Sequence, residues 1–86
     1  MSKQQYRETQ RLKPIGKDGI EQCRAIVREA QFRKINEVMV DGWTASTIVQ
    51  VYDAINETNR AKLEALPVYR VASICLSILT KAKVAA

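Results

Sequence analysis

The chain has no histidine, and that single absence removes more chemistry than any residue present. It excludes Ser-His-Asp and Cys-His nucleophile pairs and a histidine general base. Only two cysteines, Cys23 and Cys75, are left as soft metal ligands, and their separation suits neither a C-x-x-C redox pair nor a zinc site. The carboxylates stand singly along the expected helices, with no two on a common buried face as a catalytic carboxylate pair requires. Glu8, Asp18, Asp41 and Asp53 lack the spacing of a calcium loop. Gly16, Gly19 and Gly42 fall at expected element ends and not in a phosphate-cradling loop. The expectation is a non-enzymatic chain with no catalytic residue, no metal and no cofactor.

Long apolar runs are missing as well. The most apolar stretch, Val68 to Leu79, is interrupted by Arg70 and falls far short of the ~20 residues that span a bilayer, so no membrane anchor is expected. The first residues, Met1-Ser-Lys-Gln-Gln-Tyr6, contain no apolar stretch of the secretory type. Cys23 and Cys75 share helical positions with Ile, Val and Leu and read as reduced core thiols. A cytoplasmic location is the expectation.

What is present is strongly asymmetric charge. Up to Lys34, nine bases (Lys3, Arg7, Arg11, Lys13, Lys17, Arg24, Arg28, Arg33, Lys34) face Glu8, Asp18, Glu21 and Glu29, and this segment holds the whole net charge of +5. From Ile35 onward bases and acids balance. Residues 1–17, punctuated by Pro14 and Gly16, show no helical or strand period and read as a flexible basic arm. Residues 18–86 read as one helical domain, close to the lower size at which a hydrophobic core is self-sufficient. The fold class expected is all-α, a small bundle of about four helices.

Asp18 and Glu21 have the spacing of a helix start, followed by Ile20, Cys23, Ile26, Val27 and Ala30 at helical intervals. Phe32, Ile35, Val38 and Met39 continue the apolar content, rotated about the axis, up to Asp41-Gly42. There a glycine-capped helix end competes with a hairpin over Glu37–Thr44 turned at Asp41-Gly42, because Val38 and Val40 alternate. Thr44 or Ser46 can cap a second helix with Ala45, Ile48, Val49, Tyr52 and Ile55 on one stripe. Asn56 caps a third, and Pro67 opens a last helix that carries Val68, Val71, Ala72, Cys75, Ile78, Leu79 and Ala82 inward.

Two elements of the second and third helices carry a resemblance. Thr44-Ala-Ser-x-Ile-Val-x-Val-Tyr-Asp-Ala54 and Asn56-Glu-x-Asn-Arg-Ala-Lys62 make the block from Val40 to Lys62 similar to small uncharacterised proteins encoded in bacteriophage genomes. The resemblance implies a phage accessory protein working inside a bacterium and assigns no activity to any residue.

Two surfaces are left as candidates for partner binding. One is basic: Lys3, Arg7, Arg11, Lys13 and Lys17 on the arm, with Arg24, Arg28, Arg33 and Lys34 as a ridge on the first helix. The other is Trp43, the only tryptophan, which reads either as a core lid or as an anchor for a partner. A protein partner is the primary expectation, a homodimer being one form of it. Nucleic acid bound by the arm and first helix is the alternative. A helix-turn-helix built from the second and third helices fits poorly, since the would-be reading helix is about two turns long and its turn lacks glycine.

Overall fold

The computed structural model describes residues 2–85 and contains five helices and one two-stranded hairpin: α1 Lys3–Arg11, α2 Gly16–Glu29, β1 Arg33–Ile35, β2 Val38–Val40, α3 Gly42–Ala54, α4 Glu57–Glu64 and α5 Val68–Ala85. The side chain of Ala82, which the helical period puts on the inner stripe of the last helix, lies outside the described residues. The fold is mostly helical, and all-α describes it only approximately.

The segment read as an arm without periodicity contains a helix. Ser2 and Gln5 form a reciprocal capping box, each side chain accepting from the other's backbone N–H at 3.1 Å, and Arg11 in the last turn complements the negative end of the dipole. No residue of α1 is buried, which is why no apolar stripe marks it. The arm also ends before residue 17. Ile15 is 3% exposed, its N–H donates to the Leu66 carbonyl at 2.8 Å, and Pro14 bridges to Pro67. These bonds tie the entrance of α2 to the turn between α4 and α5.

α2 starts at Gly16, with φ of +64°, and not at Asp18. It also stops at Glu29, well before Asp41-Gly42: Ala30 adopts the left-handed conformation at φ 53°, its N–H bonding the Ile26 carbonyl. Gln31 donates to the same carbonyl at 3.2 Å, so orphan groups of the last turn are satisfied without a glycine. The helix is therefore shorter than the apolar content suggests, and Arg33 and Lys34 belong to a strand.

Neither expected arrangement of residues 37–44 occurs. A hairpin does form, but with its turn at Asn36-Glu37 and not at Asp41-Gly42, pairing Arg33 with Val40, Lys34 with Met39 and Ile35 with Val38. Its two-residue turn is Asn36-Glu37, with φ of 51° and 63°, the doubly left-handed geometry that matches strand twist. The Asn36 amide donates to the Lys13 and Pro14 carbonyls and anchors the turn to the segment before α2. Asp41 is the N-cap of α3, accepting from the Thr44 N–H at 2.7 Å. That bond holds the Asp41 carboxyl below the usual aspartate range.

α3 is the central element, packed against α2 on one side and α5 on the other. Ala45, Thr47, Ile48 and Val51 of α3 are buried with Ile20, Cys23 and Ile26 of α2, Val68, Val71 and Cys75 of α5, and Leu63 of α4. Ile35 and Val40 close one end from the inner face of the hairpin, each worth about 1.5–3 kcal/mol of burial. The Thr47 hydroxyl bonds the Trp43 carbonyl at 3.0 Å, and among the described residues no buried side-chain polar atom lacks a partner. Both cysteines are buried free thiols, each pushed up to about 11 by desolvation. Three residues assigned inward face solvent instead, Ile78 at 44% exposure, Val27 and Ala30.

Candidate interaction surface

A cluster joins α2, α3 and α4. Arg24 donates twice to the Asp53 carboxylate, at 3.0 and 2.6 Å, and lies 3.4 Å from Glu21. Arg60 donates to the carbonyls of Tyr52 at 2.8 Å and Asp53 at 3.0 Å, covering the carbonyl end of α3 from α4. The Tyr52 ring lies between the two guanidinium groups, 5.9 Å from that of Arg24 and 5.2 Å from that of Arg60. Its hydroxyl donates to Glu64. The Arg24 bond keeps Asp53 below the usual aspartate range, and the Glu64 bond raises Tyr52. Tyr52, Asp53 and Arg60 belong to the block from Val40 to Lys62, and here they clamp three helices.

That clamp takes Arg24 out of the expected basic ridge, and the ridge itself does not form. Arg33 pairs with Glu29 at 3.1 Å, Arg28 lies 3.9 Å from Glu29, and Lys34 sits on β1, 3.8 Å from Glu37. These four bases occupy two kinds of element and each has a carboxylate neighbour. The arm bases differ. Among the described residues, Lys3, Arg7, Arg11, Lys13 and Lys17 have no carboxylate within ion-pair distance. Lys3, Arg7 and Arg11 fall at i, i+4 and i+8, one stripe of α1. Lys17 lies apart, in a cleft with Tyr52, Glu57, Arg60 and Glu64.

The α1 stripe borders a largely apolar depression of the surface. A groove of about 580 Å³ is lined by Glu8, Arg11 and Leu12 of the α1 end, Glu37, Val38 and Met39 of the hairpin, and Tyr69 of α5. A smaller cleft continues it past Lys3, Tyr6, Arg7 and again Glu37. Leu12 is 64% exposed, and Met39 and Tyr69 are about half exposed. Met39 also shares the outer face of the hairpin with Phe32 and Lys34, because alternate strand residues point the same way. Trp43, in the first turn of α3, is 58% exposed; it is not a core lid.

Leu12, Val38 and Tyr69 were not expected at a site. The available signal was the alternation of Ile35, Val38 and Val40 around Asn36, a residue that tolerates left-handed geometry; it places Met39 outward. Among the described residues no group of three or more metal-ligating side chains lies together, and no helix is long and apolar enough to cross a membrane. Comparison with known proteins gives no match to a family model, to a curated protein or to a solved structure.

Proposed function

We propose that the chain is a non-enzymatic interaction module of the phage accessory kind, which binds a host or phage protein through the groove between α1 and the hairpin. The observation that carries this reading is the coincidence of half-exposed apolar side chains, Leu12, Met39 and Tyr69, with the stripe of bases Lys3, Arg7 and Arg11. Contiguous exposed apolar surface with a polar rim is the mark of a protein contact. A smaller, mainly apolar cleft between α4 and α5, lined by Leu63, Leu66, Ile74 and Ile78 with Asn59 and Lys62, offers a homodimer contact compatible with that site. Nucleic acid remains the second reading, favoured by the five arm bases that have no ion-pair partner among the described residues. The Glu8 and Glu37 carboxylates in the groove oppose it, since phosphate binding wants an undiluted positive field.

The test is photo-crosslinking in bacterial lysate, with and without phage infection, from a photoreactive residue at Leu12 and, as a control, at Gln50, which is exposed on α3 and lines none of these clefts. A nuclease-resistant protein adduct from Leu12 and none from Gln50 is expected. Nuclease-sensitive adducts from Leu12 would replace this reading with the second one.

A further inference from the structure

The hairpin has an open edge inside the groove. Ile35 and Val38 flank the two-residue turn and form its hydrogen-bonded pair, so the next pair, Lys34 with Met39, is the non-bonded kind whose N–H and C=O groups point away from the partner strand. On the β2 side these are the backbone groups of Met39. Among the described residues no other backbone or side-chain group bonds to them. The groove is lined by Glu37, Val38 and Met39 and by no residue of β1, so it is this β2 edge that faces it. An unpaired strand edge beside apolar side chains is a template for an added strand.

From this edge, and resting on the protein-binding reading above, we infer that the occupant is an extended acidic segment of a partner protein, added as a third strand alongside β2. Its backbone bonds the Met39 N–H and C=O. Alternate side chains of a strand point to opposite faces, so apolar residues of the segment meet Leu12, Val38 and Tyr69 while carboxylates on its other face reach Lys3, Arg7 and Arg11. The stripe supplies the charge complementarity: three bases without ion-pair partners stand against Glu8 and Glu37, and Glu37 already has Lys34 3.8 Å away. A helical occupant would leave the Met39 groups unpaired beneath it, and a basic segment would face the stripe with like charge.

The full chain, labelled for amide NMR, is titrated with three synthetic peptides of about eight residues, a length close to a natural strand. One alternates valine with glutamate, the second alternates valine with lysine, and the third is the acidic peptide with alternate backbone nitrogens methylated. The acidic peptide should shift the Met39 amide and slow its exchange, with affinity at least about tenfold above that of the lysine peptide, a factor set by charge. N-methylation should abolish binding. Converting both Arg7→Glu and Arg11→Glu, exposed residues of a helix that buries nothing, should lower affinity about tenfold with unfolding unchanged. Equal binding of the methylated peptide, shifts confined to Phe32 and Trp43, or no shift at Met39 at millimolar acidic peptide would each overturn strand addition. A Leu12 protein crosslink persisting under any of these results leaves the protein-binding reading intact, and its loss removes both.

Discussion

Ile15 and Gly19 form a tightly coupled pair, and a double-mutant cycle on them tests how the arm meets the core. A Cβ placed on Gly19 would stand 2.4 Å from Ile15 Cγ1 and 3.4 Å from its Cβ, so the two residues interlock across the first turn of α2. Gly19→Ala alone forces Ile15 to shift, a form of overpacking that costs about 1–3 kcal/mol, against a helix-propensity gain of about 1 kcal/mol. Ile15→Ala alone removes a buried side chain and should cost about 2–5 kcal/mol. With Ile15 truncated, the 2.4 Å contact no longer exists, and Gly19→Ala turns neutral or stabilising. The coupling energy should then be about 1–3 kcal/mol. Urea unfolding followed by helix circular dichroism reads it, and thermal unfolding gives a second measure, since 1 kcal/mol moves the midpoint of a domain this size by about 4–8 °C. Additive effects, or an Ile15→Ala cost no larger than a surface change of about 0.5 kcal/mol, would refute the packing of residues 15–19 described above.

Glu37 holds a left-handed φ of 63° in the hairpin turn, a geometry that glycine adopts freely; Glu37→Gly should raise stability by about 0.5–1 kcal/mol, read as a higher urea midpoint at unchanged slope. Cys23 and Cys75 are buried, with thiols pushed up to about 11. The native chain should resist a disulfide-exchange reagent at mildly alkaline pH and release two thiols on denaturation; rapid labelling of the folded chain would contradict their burial. Asp53 has a folded pKa depressed below 3.8 by Arg24, so its contribution is present above that value and lost as pH falls through the depressed one. Asp53→Asn should therefore lower the urea midpoint more at about pH 7 than at about pH 3.

The helical part of the fold was legible wherever a cap and an apolar stripe coincide. Asn56 caps α4 by accepting from Asn59 at 2.9 Å, Pro67 precedes α5, and Ala45, Ile48, Val68, Val71 and Cys75 are buried as their spacing requires. Two features escaped because a residue other than the favoured one does the work. Ala30, not glycine, ends α2, and Asn36-Glu37, not Asn-Gly, makes the turn, so the strongest turn signal, Asp41-Gly42, pointed to the wrong place. α1 buries nothing, and its only local mark was Ser2 followed three residues on by Gln5. The groove was illegible for a different reason: Leu12, Met39 and Tyr69 come from three distant segments, and long-range contacts such as the Asn36 bonds to Lys13 and Pro14 bring the hairpin beside the end of α1. Of the basic residues singled out, Lys3, Arg7 and Arg11 share the stripe at the groove, while Arg24 serves the clamp on Asp53.

The most direct test of the groove as a protein-binding site is the affinity of the Leu12-crosslinked protein, once purified, for the unaltered chain, for Leu12→Asp and for Gln50→Asp. Leu12 is 64% exposed, so its substitution should leave the unfolding midpoint unchanged while affinity falls about tenfold or more, the scale expected when a charge replaces an apolar contact at an interface. Gln50→Asp should bind as the unaltered chain does. Equal affinity of all three chains would contradict the account.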